Sequence, residues 1–262
     1  MNLSLISYLV YFLVFVFGLA VGSFLNCVIY RLEKNESFLK GRSYCPHCKH
    51  KLFWQDLIPL LSFLILKGKC RYCKEPISWQ YPLVETATGF LFTFVFHVAF
   101  PNFLLSIYYF LISSFLIIIF VYDLKHYIIP VKVIYSAIAI ALIFNFQFLI
   151  SKQFSIFNYS ILSALGAAVF FLIIVLISGG HWMGVGDIKL AFFMGLFLGF
   201  PKILVALFFA YFIGAIIGIG LIFAGKKTLK SEVPFGPFLV TGTFVALFFG
   251  NQIINLYLSF FI

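Results

Sequence analysis

Long apolar segments separated by short polar ones dominate the chain. The eight apolar runs occupy residues 4–30, 82–100, 102–122, 130–150, 157–178, 187–200, 202–224 and 236–260. Because about 20 mostly apolar residues cross a bilayer, this pattern predicts an all-α polytopic membrane protein with about eight transmembrane helices. The alternation of apolar and polar residues that is typical of a membrane β-barrel is absent from the sequence.

The first run is expected to be a transmembrane helix and not a cleaved signal peptide. Its apolar stretch, Leu5 to Ile29, is too long for a signal peptide, and no basic segment precedes it. The sixth run is shorter than the others, and only a Gly-Phe-Pro-Lys turn at 199–202 separates it from the seventh. Pro101, Pro130 and Pro201 fall between runs, where the missing N–H of proline costs little.

A polar block at 31–81 interrupts the apolar pattern. Hydrophobic residues make up 63% of the chain and charged residues 10%, against about 25% in ordinary globular proteins. Ten of the 18 Lys and Arg residues, and four of the five Cys, lie in this block. We therefore predict a first helix at 1–30, a small polar insert at 31–81, and a helical bundle at 82–262.

The distribution of lysines predicts the orientation in the membrane. The loops on the same side as the insert carry Lys125, Lys226, Lys227 and Lys230, and the opposite loops carry Lys152 and Lys202. Positive charge collects on the cytoplasmic side, so the insert is expected there and both termini outside. The net charge of +10 then indicates contact with anionic membrane lipid, and a role in nucleic-acid binding is not needed to explain it.

Four cysteines in the insert have the spacing of a metal site. Cys45 and Cys48 form one C-x₂-C pair, Cys70 and Cys73 form the next, and 21 residues separate the pairs. This spacing predicts a tetrahedral zinc site, structural because four thiolates complete the coordination shell. Two disulfides or redox thiols are the alternatives, and a cytoplasmic location argues against disulfides. His47 and His50 are possible substitute ligands, although solvated loop positions suit them better.

Two aspartates stand beside apolar segments, where a carboxylate is costly. Asp123 follows the third run and Asp187 precedes the sixth, in a chain with only eight acidic residues. Such carboxylates indicate a functional site. Two neighbouring carboxyl groups ionise unequally, so they can supply an acid and a base at one pH and activate water against a peptide bond. The alternative is that each aspartate caps a helix.

Residues around the aspartates are candidates for the same site. Gly184 and Gly186 allow the backbone to approach an extended substrate beside Asp187. His126 lies three residues after Asp123 and is a candidate to tune it, although an interfacial histidine is the simpler interpretation. Lys189 follows Asp187 by two residues, a spacing that does not bring the two side chains together on a helix.

The motifs together resemble those of bacterial type IV prepilin peptidases. Gly184-Val-Gly-Asp187 matches the GxGD signature of that family, and Asp123 with Ile128-Ile-Pro130 matches its first aspartate motif. Further matches are Gly22–Arg31, Cys45-Pro-His-Cys48, Ile58-Pro-Leu-Leu-Ser62, Gly68–Cys73, Tyr81-Pro-Leu-Val-Glu85 and Pro234-Phe-Gly-Pro-Phe238. The family usually has Asp or Asn after the Ile-Pro of the first motif, whereas Val131 follows here.

The resemblance implies a bifunctional enzyme of the inner membrane. It would cut the leader of prepilin or pseudopilin substrates at the cytoplasmic face and then N-methylate the new N-terminus with S-adenosylmethionine. Asp123 and Asp187 would be catalytic, the four cysteines would hold the metal, and Gly68 and Lys69 would serve methyl transfer. The substrates would build a pilus, a secretion pseudopilus or a DNA-uptake apparatus.

Two hypotheses from other functional classes compete with this one. A proton-coupled transporter would use the aspartates as a relay, but it favours carboxylates at the bilayer midplane and internal repeats. A membrane-anchored zinc module that scaffolds partners would leave the aspartates unexplained.

Overall fold

Helices account for most of the structure. The computed structural model describes residues 3–37, 41–150, 154–225 and 233–260. Within these ranges the only β structure is two isolated bridges, and a 3₁₀ turn at Trp54–Leu57 precedes α2. The α-helices are α1 Leu3–Glu33, α2 Leu61–Ile65, α3 Gln80–Ala99, α4 Phe103–His126, α5 Val131–Ile150, α6 Phe154–Ser178, α7 Val185–Leu198, α8 Lys202–Phe223 and α9 Gly236–Ser259.

The predicted all-helical membrane architecture is confirmed. Eight long helices coincide with the eight apolar runs, and α2 lies in the insert. Six of the eight, namely α1, α3, α4, α6, α8 and α9, are long and apolar enough to cross a membrane. The chain is therefore a multi-pass membrane protein. The described apolar part of α5 is shorter, and α7 has 14 residues, or about 21 Å of helix. That length is less than the hydrocarbon thickness of about 30 Å, so α7 does not cross the bilayer by itself.

The predicted end of the third run, residue 122, is one turn too early. Helix α4 continues to His126 because Leu124 and Lys125 favour the helix. It ends at Tyr127, whose positive φ of 58° is the left-handed conformation that commonly closes a helix. Asp123 consequently lies in the last turn of α4 and not in a loop beyond it.

The chain forms two compact units, Met1–Ile118 and Ile119–Ile262, which divide within α4. In the first unit α1 packs closely on α3. A Cβ added to Gly18 would lie 2.7 Å from the Cα of Gly89, and one added to Gly22 would lie 2.7 Å from the Cα of Glu85. Small residues of this kind let membrane helices approach closely. The functional division into first helix, insert and bundle stays a prediction.

The second unit has equally close helix contacts, and they fix the position of α7. Gly195 on α7 lies against the backbone of Ala164 on α6, where a Cβ has no room. On the other side of α7, the buried Asn145 of α5 donates a hydrogen bond from Nδ2 to the Leu196 carbonyl at 3.1 Å. A further contact of this type joins Gly242 of α9 to the backbone of Ala206 on α8.

We predict that Gly195→Ala destabilises the protein, because the added methyl group pushes α7 away from α6. Overpacking of this kind costs about 1–3 kcal/mol, and the melting temperature in detergent should fall by several degrees. The matched control is Gly166→Ala on α6, where a Cβ meets no atom within 4 Å. Equal melting temperatures for the two variants would contradict the importance of this contact.

Candidate active site and metal centre

Both predicted aspartates lie at helix ends in the second unit. Asp123 is in the last turn of α4, and Asp187 is the third residue of α7. Their side chains are buried, with 4% and 8% of their surface exposed. A buried carboxyl group needs hydrogen-bond partners, and each of these two receives one from a backbone N–H.

The partner of Asp123 is the beginning of α9. The N–H of Gly236 donates to Asp123 Oδ2 at 3.0 Å, and Pro237 follows in the first turn of the helix. A Cβ on Gly236 would lie 2.5 Å from the same oxygen, so only glycine allows this approach. Sequence reasoning missed Gly236 as a site residue. The available signal was its place before a proline, which marks a helix start and therefore free N–H groups.

The partner of Asp187 is local. Gly184 precedes α7, and its N–H donates to Asp187 Oδ2 at 3.2 Å, while the Asp187 N–H donates back to the Gly184 carbonyl at 3.1 Å. Asp187 therefore has the capping role that was the alternative to catalysis, although from the first turn and not from the N-cap position. Asp123 lies where α4 ends, so it does not cap its own helix, but its carboxyl group accepts a hydrogen bond from the first N–H of α9.

The two aspartate motifs are in contact. Ile129, six residues after Asp123, is buried against Gly186, where a Cβ would lie 3.1 Å from the Ile129 Cβ. This contact joins the segment that follows Asp123 to the turn that carries Asp187, so the two carboxyl groups belong to one site. Two interacting, buried carboxyl groups favour a state in which one is ionised and the other protonated. This is the protonation state that acid–base hydrolysis requires.

The other predicted neighbours occupy the same part of the unit. The Lys189 ammonium lies 5.0 Å from the centre of the Tyr135 ring on α5, a cation–π geometry that holds α5 against the beginning of α7. The exposed His126 ring packs 4.5 Å from the Tyr122 ring, one turn earlier on α4. A role for either residue in catalysis stays a prediction.

Aromatic side chains that the sequence analysis did not single out surround the start of α9. Phe235, directly before Gly236, lies 5.1 Å from the Tyr211 ring of α8 and 6.3 Å from the Phe171 ring of α6. The cluster holds Phe235, and with it the Gly236 N–H, beside the two carboxyl groups.

The four cysteines of the insert converge as their spacing predicts. Their sulfur atoms all lie within 4.8 Å of one another, and no histidine belongs to the cluster among the described residues. A zinc–sulfur distance of about 2.3 Å separates the sulfurs of a tetrahedral site by about 3.8 Å. The Cys45 and Cys73 sulfurs are 3.9 Å apart, so the residues fit a Cys₄ zinc site.

Each cysteine pair is held by the same turn. In the first turn the Cys45 N–H donates to the His50 carbonyl at 3.0 Å, and the Lys49 N–H donates to the Cys45 carbonyl at 2.9 Å. The second turn has the same pair of bonds. The Cys70 N–H donates to the Glu75 carbonyl at 2.8 Å, and the Lys74 N–H donates to the Cys70 carbonyl at 3.0 Å. Backbone N–H groups of Tyr72 and Cys73 also donate to the Cys70 sulfur. Burial raises the pKa of this thiol, but these bonds and those from neighbouring thiols outweigh burial and lower the pKa to about 7.

Asp56 connects the second turn to the 3₁₀ turn. Its carboxylate accepts hydrogen bonds from Arg71 Nε at 2.6 Å, from the Tyr72 hydroxyl at 3.1 Å and from the Phe53 N–H at 3.2 Å. Burial raises the pKa of Asp56, but these donors outweigh burial and hold the pKa below its usual value. The His50 ring of the first turn stacks 3.7 Å from Tyr72, so His50 packs in the insert and is no metal ligand here.

Gly68 and Lys69, the predicted methyl-transfer residues, lie immediately before Cys70. Gly68 has a positive φ of 69°, and a Cβ there would lie 3.2 Å from the Phe63 ring. Its backbone closes a turn, since the Ile77 N–H donates to the Gly68 carbonyl at 2.7 Å. The Lys69 side chain is exposed. Glycine is therefore required at 68 for structural reasons, whatever its role in methyl transfer.

Comparison with known proteins covers nearly the whole chain. Residues 16–99 match the bacterial peptidase A24 N-terminal domain, and residues 110–219 match the type IV leader peptidase family. A prepilin leader peptidase/N-methyltransferase of Legionella pneumophila is 33% identical, over 99% of both chains. Proteins of the same name from Bacillus subtilis and Pseudomonas aeruginosa are 35% and 30% identical, over 94% and 93% of this chain and 97% and 91% of theirs. No solved structure gives a significant match.

We predict about one zinc ion per chain, measured by elemental analysis of protein purified under reducing conditions. Cys70→Ser should lose the metal and unfold the insert while the membrane helices survive, because the sulfur cluster joins the two turns. Cys27→Ser is the matched control, since Cys27 is the fifth cysteine and lies in α1. Metal-free wild-type protein, or equal zinc in the two variants, would contradict the Cys₄ site.

Proposed function

The chain belongs to the type IV leader peptidase family, and from this premise we propose that it cleaves the leader of prepilin-like proteins and N-methylates the new N-terminus. Cleavage is the work of Asp123 and Asp187. The observation that carries this assignment is that both carboxyl groups are buried, each with one backbone donor, on segments joined by the contact of Ile129 with Gly186. A proton-coupled transporter does not suit carboxyl groups at helix ends.

The pair hydrolyses the peptide bond by moving two protons. The ionised carboxyl group takes a proton from water, whose oxygen attacks the carbonyl carbon of the scissile bond. The protonated group donates to the carbonyl oxygen, which gives a tetrahedral intermediate with two hydroxyl groups. As the C–N bond breaks, the departing nitrogen takes the proton that the first carboxyl group gained from water, and the second carboxyl group regains its proton from a hydroxyl of the intermediate. The Gly184 and Gly236 N–H groups hold one oxygen of each carboxyl group, so the other oxygen is directed to water and substrate.

Methylation of the new N-terminus is assigned to the insert. S-adenosylmethionine supplies a methyl group on a sulfonium sulfur. The exposed Lys69 ammonium would pair with the carboxylate of this donor, and the adjacent turn at Gly68 fixes the backbone from which Lys69 extends. Cys45, Cys48, Cys70 and Cys73 would hold a zinc ion, which would join the two turns of the insert in a structural role, since four thiolates complete a tetrahedral site.

The insert and both aspartates face the cytoplasm in this proposal, with the two termini outside the inner membrane. The support is the asymmetry of lysines between loops. In this proposal Lys125, in the last turn of α4, belongs to the basic residues of the cytoplasmic loops. Lys226, Lys227, Lys230 and Lys152 lie outside the described residues. The substrates are prepilins or pseudopilins, and anionic lipid surrounds the basic side.

Asp123→Asn and Asp187→Asn should each abolish leader cleavage of a purified prepilin while membrane insertion stays intact. An amide can neither ionise nor exchange the proton, and loss of general acid–base catalysis costs about 10²–10⁴-fold in rate. Glu75→Gln is the control, since it neutralises an exposed carboxylate of the insert. Cleavage by either asparagine variant at more than about a hundredth of the wild-type rate would refute the aspartyl mechanism.

The two activities should separate by mutation, because the aspartates and the insert belong to different compact units. Asp187→Asn should still methylate a pre-cleaved pilin, whose amine is already free. Lys69→Ala should lose methylation and keep cleavage, whereas Lys51→Ala, at another exposed lysine of the insert, should keep both. Mass spectrometry of the product measures each activity. Loss of both activities in a folded Asp187→Asn variant would indicate one shared site.

A further inference from the structure

An apolar stripe runs along the outside of the insert. Its members belong to the 3₁₀ turn, to α2 and to the link between them, where Ile58 is extended and Leu60 has a positive φ of 59°. We call these exposed residues the α2 stripe: Trp54, Leu57, Ile58, Leu61, Leu64 and Ile65. Trp54, Leu64 and Ile65 expose 71%, 68% and 74% of their surface. Exposed apolar side chains of this size mark a surface that lipid or a partner protein covers.

The opposite face of α2 is fixed against the insert, so the stripe cannot turn inward. The buried Ser62 donates a hydrogen bond from its hydroxyl to the Asp56 carbonyl at 2.8 Å. The Phe63 ring packs 5.1 Å from the Trp79 ring, just before α3. These contacts orient the α2 stripe away from the protein.

A buried carboxylate fixes the level of α2 relative to the membrane helices. The Leu60 N–H, immediately before α2, donates to Glu85 Oε2 at 2.9 Å. Glu85 is the sixth residue of α3, about 8 Å along a helix that is long and apolar enough to span the bilayer. The start of α2 therefore lies beside the end of a transmembrane segment, where hydrocarbon gives way to headgroups.

The residues around the α2 stripe include basic and tryptophan side chains, which are typical of membrane interfaces. Lys67 lies two residues after Ile65, and its side chain is exposed. Tryptophan collects at membrane interfaces, as Trp54 and the 70% exposed Trp79 would here. Basic residues beside an apolar face add attraction to anionic lipid.

We propose that the α2 stripe inserts into the headgroup–acyl boundary of the bilayer that the chain spans, with Lys67 at the level of anionic lipid headgroups. The stripe is then a third attachment of the insert to the membrane, at the interface, in addition to the helices α1 and α3. This inference goes beyond the proposed enzymatic function and does not depend on it.

Quenching of tryptophan fluorescence by brominated lipid tests the proposal in the full-length, zinc-loaded protein. Trp79→Phe and Trp182→Phe leave Trp54 as the single reporter. The reporter protein is placed in nanodiscs of phosphatidylcholine and phosphatidylglycerol, with or without bromine on the acyl chains. Quenching of about half of the emission or more is expected, because an interfacial apolar face lies ~5–10 Å deep, against the acyl chains.

A matched pair of variants in the reporter protein attributes the quenching to the stripe. Ile65→Glu should reduce it strongly, whereas Gln55→Glu, at an exposed polar neighbour of Trp54, should leave it unchanged. Unquenched Trp54 in protein that retains zinc would overturn the proposal, as would equal effects of the two variants. Emission that changes only when a purified prepilin is added would overturn it too, and would assign the stripe to the substrate. No arm of the test measures activity, so failure would leave the proposed enzyme unaffected.

Discussion

The burial of two carboxyl groups among apolar helices is the constraint on which the second unit depends. Asp123 lies at the carboxyl end of α4, where the helix dipole opposes a negative charge. The amino end of α9 faces it and supplies both a favourable dipole and the Gly236 N–H. Asp187 lies in the first turn of α7, where its own helix favours the charge. Two carboxyl groups of one residue type thus occupy different electrostatic surroundings, which is the condition for unlike protonation in an acid–base pair.

This arrangement requires backbones to come closer than side chains allow. Gly236 lies against Asp123, Gly186 against Ile129, and Gly195 against Ala164. The first contact places the start of α9 at Asp123, the second joins the two aspartate-bearing segments, and the third fixes the helix that carries Asp187. Phe235 then anchors the start of α9 through its contact with Tyr211. The positions of the two carboxyl groups are therefore set by close contacts at glycines and by the aromatic packing around Phe235.

The sequence predicted features that have a local cause. Apolar run length predicted the eight long helices, the C-x₂-C spacing predicted the sulfur cluster, and the cost of an unpaired carboxylate singled out Asp123 and Asp187. It did not predict Gly236 as a partner of Asp123, because 113 residues separate them and no periodicity links them. It also missed the last turn of α4, which ends through the conformation of Tyr127 and not through a glycine or proline. Nor did it predict that Asp56 connects the metal-binding turn to the 3₁₀ turn, since this depends on side chains brought together by the fold.

The backbone donor to Asp123 is the Gly236 N–H, and its importance is measured most directly by the rate of leader cleavage by Gly236→Ala. The added methyl group would lie against Asp123 Oδ2, displace the carboxyl group and lengthen its hydrogen bond. Gly220→Ala on α8, where a Cβ meets no atom within 4 Å, is the matched control. We expect the rate of leader cleavage by Gly236→Ala to fall by about 10²-fold or more. Methylation of pre-cleaved pilin should stay normal, and Gly220→Ala should cleave at the wild-type rate. Wild-type cleavage by folded Gly236→Ala protein would contradict this expectation.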